Sequence, residues 1–152
     1  MPTALLLNGP NLNLLDSREP EISGSTTLRD IEKQVSSALR ERKIDCEYFH
    51  SNSEGELIDW LQNQRNADFL LLNPGALTHN SVGLRDAVLA IEIPFLEIHL
   101  SKVHQHEEFR HHSYFSDIAI GALVGLGVKG YLLATQFAAD YLEQKSISVS
   151  NA

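Results

Sequence analysis

At 152 residues with 43% hydrophobic composition, the chain is long enough to bury a full core as one domain, residues 1–152. A formal net charge of -8 argues against a nucleic acid or an anionic membrane as partner. Cys46 has no second cysteine to pair with, and the apolar run Ala4-Leu5-Leu6-Leu7 is far too short for a signal or membrane-spanning segment, so a reducing cytoplasm is the expected setting.

In chain order, short apolar runs alternate with helical spacing. Residues 3–7 read as a first strand. The stretch 8–25 that follows is punctuated by glycine and proline, and its length suits a lid or binding loop carrying Arg18. Leu28, Ile31, Val35, Ala38 and Leu39 then repeat at helical intervals behind Thr26 and Thr27. A second strand spans 45–50, and a helix opens at Ser53 and Glu56, the pattern of a capping box, and buries Leu57, Ile58 and Leu61. Further strands are expected at 69–73, 95–100 and 121–126, with helices at 81–90 and 130–143. Several strands are unbroken apolar runs, as a parallel sheet covered on both faces requires. Five βα units without repeat or linker predict a doubly wound, flavodoxin-like α/β sandwich of three layers, with five parallel strands in the order 2-1-3-4-5.

Ligands of such folds bind beyond the carboxyl ends of the strands. Here the first strand runs into Asn8-Gly9-Pro10-Asn11, the third into Asn73-Pro74-Gly75 and then Thr78-His79, and the fourth into His99-Leu100-Ser101. The predicted order makes these three ends neighbours, so amide, imidazole and hydroxyl groups converge. Five of the seven histidines, His99, His104, His106, His111 and His112, lie between residues 99 and 112. Histidine is the side chain most readily used for proton transfer near neutral pH, and His99 at a strand end is the first candidate.

Two cofactor readings are weighed and set aside. His104, His106 and His111 or His112 could gather around zinc, but the chain lacks both H-E-x-x-H and C-x-x-C, and Glu107 and Glu108 read as a solvent-facing turn with Arg110. Gly125-Leu126-Gly127-Val128-Lys129-Gly130 matches the dinucleotide pattern G-x-G-x-x-G. It opens the last βα unit, with no later strand to supply the acidic group for a ribose. Close strand-to-helix packing is its expected role.

Asn8-Gly9-Pro10-Asn11-Leu12-Asn13-Leu14-Leu15, Arg18-Glu19-Pro20, Asn73-Pro74-Gly75-Ala76-Leu77-Thr78-His79, Leu84-Arg85-Asp86-Ala87, Glu97-Ile98-His99-Leu100-Ser101 and Phe109-Arg110-His111-His112-Ser113-Tyr114 resemble, in order and spacing, the type II 3-dehydroquinate dehydratases. The resemblance covers about residues 3–143. It implies a cytoplasmic homo-oligomer, trimers packed into a dodecamer, that needs no metal or organic cofactor and acts on a small anionic substrate. The implied reaction removes water from 3-dehydroquinate to give 3-dehydroshikimate through an enolate, in the shikimate or quinate pathway. Carried over by motif, Arg18 is the lid arginine, Asn11 steadies the enolate through a water, and His99 is the general acid. Asn73, His79, Asp86, Leu100, Ser101 and Arg110 would hold the substrate, with Glu97 orienting His99.

The chain departs from that pattern where the chemistry begins. In the family, two residues separate Arg-Glu-Pro from the catalytic tyrosine, and here, after Glu21 and Ile22, that position is Ser23. A phenol titrates near 10 and a neighbouring arginine can lower it, whereas an alkyl hydroxyl is far less acidic and lies closer to the backbone. Asp16 replaces a usual glycine and His106 a usual arginine, so a permanent bidentate cation is lost. Tyr48, Tyr114, Tyr131 and Tyr141 all lie outside the lid. Two expectations follow, an impaired dehydratase or a non-catalytic relative that binds a small carboxylate.

Overall fold

The computed structural model describes residues 1–18 and 20–150, apart from the side chains of Ile22, Ser23 and Ser150. Strands β1 (Thr3–Asn8), β2 (Asp45–His50), β3 (Phe69–Asn73), β4 (Phe95–His99) and β5 (Gly121–Val124) pair in parallel in the order β2-β1-β3-β4-β5. Helices α1 (Leu15–Arg18) and α2 (Pro20–Ser23) belong to the segment after β1, and α3 (Leu28–Glu41), α4 (Glu54–Gln62), α5 (Val82–Ala90) and α6 (Lys129–Ser150) flank the sheet. The three-layer, flavodoxin-like expectation holds.

Alternation along each strand builds two cores. Ala4, Leu6, Phe69, Leu71, Leu96 and Ile98 face α3 and α6, while Leu5, Leu7, Leu70, Leu72 and Phe95 face α4 and α5. Every residue of β3 and β4 is buried, which explains the apolar run Phe69–Leu72 and leaves Glu97 and His99 as buried polar groups of β4; the edge strands β2 and β5 are only partly covered, and β2 reads less apolar. Among the described residues no helix is long and apolar enough to cross a membrane.

Several local expectations are corrected. The capping box belongs to α3, where Thr27 Oγ1 accepts from the Asp30 amide and the Asp30 carboxylate accepts from the Thr27 amide. At α4 only half of it forms: Ser53 Oγ accepts from the Glu56 amide, but the Glu56 carboxylate instead accepts a hydrogen bond from the Ser51 hydroxyl at 2.6 Å. The segment after β1 is wound rather than open. Asn11 adopts a left-handed φ of 71°, its carbonyl accepts from the Leu14 amide, and Leu12–Leu14, α1 and α2 follow as successive helical turns with Leu15 buried in the α3/α6 core. The last helix runs to Ser150 rather than stopping at 143.

The loops beyond β1 and β3 cross so closely that side chains are excluded. A Cβ on Gly9 would stand 2.2 Å from the Pro74 carbonyl oxygen, and one on Gly75 would stand 2.8 Å from that of Pro10. The Gly9 amide donates to the Asn73 carbonyl at 2.8 Å, locking the two loops that carry Asn11 and Asn73.

Candidate active site

A cleft of about 310 Å³ opens where β1, β3 and β4 end. That volume suits one small molecule. Of the residues singled out from the sequence, Asn11, Arg18, Asn73, His79, His99, Leu100, Ser101 and Arg110 all line it. Parallel register brings them together: Asn8 stands opposite Asn73, and Leu72 opposite Glu97 two residues before His99.

His99 is 7% exposed, and its Nε2 lies 2.6 Å from Glu97 Oε2. With Nε2 donating to the carboxylate, Nδ1 is left without a bond to any other described residue. Glu97 is 1% exposed and also accepts from the hydroxyls of Ser113 at 2.6 Å and Ser116 at 2.5 Å. Burial opposes its charge, but the bonds from His99, Ser113 and Ser116 outweigh burial and hold the carboxyl below the usual glutamate range. An anionic carboxylate behind the imidazole fixes the ring and its tautomer, with Nε2 carrying the proton that Glu97 accepts.

The lowered value has a pH consequence of definite sign. A group whose carboxyl is more acidic in the folded state than its ordinary 4.5 contributes its full stability above that value and loses it as pH falls through the lower native value. Denaturant midpoints followed from about pH 7 to about pH 3 should therefore fall more steeply in the wild type than in Glu97→Gln. Parallel curves would show that Glu97 is not a source of acid sensitivity.

One wall of the cleft is built by the segment after β4. His106 Nε2 lies 3.0 Å from Ser101 Oγ, and Arg110 Nε donates to Glu107 Oε2 at 2.7 Å, leaving the terminal guanidinium nitrogens available. His106 and Glu107 themselves line the cleft, so the turn read as merely solvent-facing supplies part of the wall. Arg18 and Arg110 against Glu107 leave a positive balance in an otherwise acidic chain. His79 also lines the cleft, and its Nδ1 donates to the His112 carbonyl at 2.8 Å.

Not every expected residue arrives. Asp86 is exposed on α5 and does not line this cleft, and the side chain of Ser23 lies outside the described residues, as does all of Glu19. His104, His111 and His112 line a neighbouring cavity of about 730 Å³. There the rings of His104 and His111 sit 5.9 Å apart, His111 Nε2 donates to the His106 carbonyl, and His112 packs edge-on to Tyr114. These three histidines shape the loop. Among the described residues no three histidine, cysteine, aspartate or glutamate side chains are grouped to hold a metal ion. The glycine pattern after β5 acts in packing, since the amides of Gly125 and Gly127 donate to the carbonyls of His99 and Leu100 at 3.1 and 3.0 Å.

Residues 2–139 match the family Dehydroquinase class II. The 3-dehydroquinate dehydratase of Haemophilus influenzae is 54% identical over 142 residues, covering 93% of this chain and 95% of that protein. Catabolic 3-dehydroquinase 2 of Aspergillus terreus is 52% identical over 147 residues, 96% of this chain and all of that one. Among solved structures, the type II dehydroquinase of Butyrivibrio crossotus superposes with a TM-score of 0.84 at 37% identity, covering 90% of this chain and 96% of that one.

Proposed function

The chain belongs to the class II dehydroquinase family, and from that premise we propose that its cleft removes water from 3-dehydroquinate to give 3-dehydroshikimate. The observation that carries this reading is the buried Glu97–His99 pair opening onto the same cleft as Asn11, Arg18, Asn73 and Arg110. Water in the cleft, in place of the family's tyrosine, accepts a proton from the carbon beside the ketone, the C–H electron pair moves into an enolate, and the enolate expels the hydroxyl on the next carbon. His99 gives that hydroxyl its proton, so water departs. Asn11, at the tip of the first loop, offers an amide for a water that steadies the enolate oxygen, and Arg18 supplies positive charge beside it.

Ser101 and Arg110 hold the substrate carboxylate, while Asn73, His79 and the Leu100 backbone hold its hydroxyls. The working form is a cytoplasmic homo-oligomer of trimers assembled into a dodecamer, acting in the shikimate or quinate pathway. Asp86 is also assigned to substrate binding by its motif, although it stands outside the cleft of its own chain. The direct test is conversion of 3-dehydroquinate, with the product followed by ultraviolet absorbance. Absence of any conversion by well-folded protein would refute the enzyme reading.

Carboxylate binding is testable apart from turnover. Calorimetry with a dehydroquinate analogue should give a binding isotherm that Arg110→Ala weakens by about tenfold or more, because a charge-assisted contact to a carboxylate is removed. The same affinity in both proteins would take Arg110 out of the anion site. Binding without turnover would favour the non-catalytic alternative; in support of that alternative, no tyrosine lines the cleft among the described residues.

A further inference from the structure

Tyr131, in the first turn of α6, is fully buried, and the reaction outlined above gives its phenol no part. Its hydroxyl nevertheless joins the two asparagines that end β1 and β3. Asn73 Nδ2 donates to Tyr131 Oη at 2.8 Å, and Tyr131 Oη donates to Asn8 Oδ1 at 2.6 Å. Asn73 Oδ1 in turn accepts from the Gly75 amide at 3.1 Å. A backbone N–H can only donate, so this last bond sets the direction of every other one. Protons point from Gly75 to Asn73, from Asn73 to Tyr131 and from Tyr131 to Asn8. Asn8 Nδ2, at the far end, is buried with no partner.

We infer that Tyr131 is a positioning residue: with the Gly75 amide fixing Asn73 Oδ1, the phenol oxygen holds Asn73 Nδ2 in place, so that Asn73 presents an N–H, not its carbonyl, to a ligand oxygen in the cleft. The NH2 group has two protons. One goes to Tyr131, and the second has no partner among the described residues, although Asn73 lines the cleft and is only 2% exposed. Burial pushes the phenol well above its ordinary range, so it remains protonated and can continue to donate to Asn8. The glycine pattern Gly125-Gly127-Gly130 brings Tyr131 to this place, because its amides clamp the turn onto the carbonyls of His99 and Leu100 immediately before α6 begins. A pattern suggestive of nucleotide binding thus serves the reaction centre through packing.

This inference rests on the reading of Asn73 as a substrate contact, and two measurements separate the two. Neutron diffraction from the wild-type protein distinguishes amide nitrogen from oxygen. It should show deuterons on Asn73 Nδ2 directed at Tyr131 Oη, and the reverse orientation overturns the proposal whether or not the protein turns over. Tyr131→Phe keeps the ring and deletes only the hydroxyl. It should lower kcat/KM by about tenfold, the scale of one lost hydrogen bond, yet by less than about twofold in an Asn73→Ala background. A purely structural phenol would cost the same factor in both backgrounds, and that outcome, or a Tyr131→Phe enzyme as active as the wild type, removes Tyr131 from the reaction. Wild-type protein without turnover counts against the dehydratase reading and leaves the neutron result to decide the amide.

Discussion

His99→Ala should lower turnover of 3-dehydroquinate by roughly 10² to 10⁴, the usual contribution of a positioned acid or base. The expectation rests on geometry. His99 ends β4 inside the cleft, its Nε2 is held 2.6 Å from a buried carboxylate, and Glu97 is itself fastened by two serine hydroxyls. An imidazole so backed has one orientation and one nitrogen with no partner among the described residues. The loss should fall mainly on kcat, because the proposed carboxylate contacts, Ser101 and Arg110, are separate groups of the cleft wall. Steady-state kinetics on protein with unchanged circular dichroism is the check. An undiminished kcat would exclude His99 from the mechanism.

Ser23→Tyr should raise dehydratase activity by about 10²-fold or more, the scale of a general base regained. The remaining groups are already gathered, since Asn11, Arg18, Asn73 and His99 line one cleft, whereas no phenol does among the described residues. Steady-state rates of the native and Ser23→Tyr proteins, compared at one pH, decide it. A large rise identifies the native chain as a slowed dehydratase with an otherwise working site. Fast native turnover that Ser23→Tyr leaves unchanged means that another group takes the proton, and the base assignment fails. Where both proteins are silent, Asp16→Gly with His106→Arg on the Ser23→Tyr background restores the other two departures, and continued silence there supports the binding-protein alternative.

The architecture was legible in the sequence because it depends on local periodicity. Phe69-Leu70-Leu71-Leu72 has to be buried on both faces, and Leu28, Ile31, Val35 and Leu39 repeat along one helical stripe, so strand, helix and layer all follow from spacing. The polar strand ends were legible for the same reason: once the strands and their order are known, Asn11, Asn73 and His99 must be neighbours. Ser53 caps α4 as its spacing predicts, but the box stays half-formed because Ser51 Oγ accepts from the Ser53 amide and donates to the Glu56 carboxylate.

By itself, then, the sequence determined the sheet, its order, the family motifs and the serine at the lid position, all of which are carried by residues close together along the chain. Only the tertiary structure decided that Asp86 stands outside its own chain's cleft, that His106 and Glu107 form part of the wall, and that His104, His111 and His112 turn away from it. It alone joined Tyr131 to Asn73 and Asn8, across separations of 58 and 123 residues. A pattern of spacing records which face of an element is apolar, but the partner that a buried hydroxyl finds depends on how α6 packs over β1 and β3, and no local signal encodes that contact.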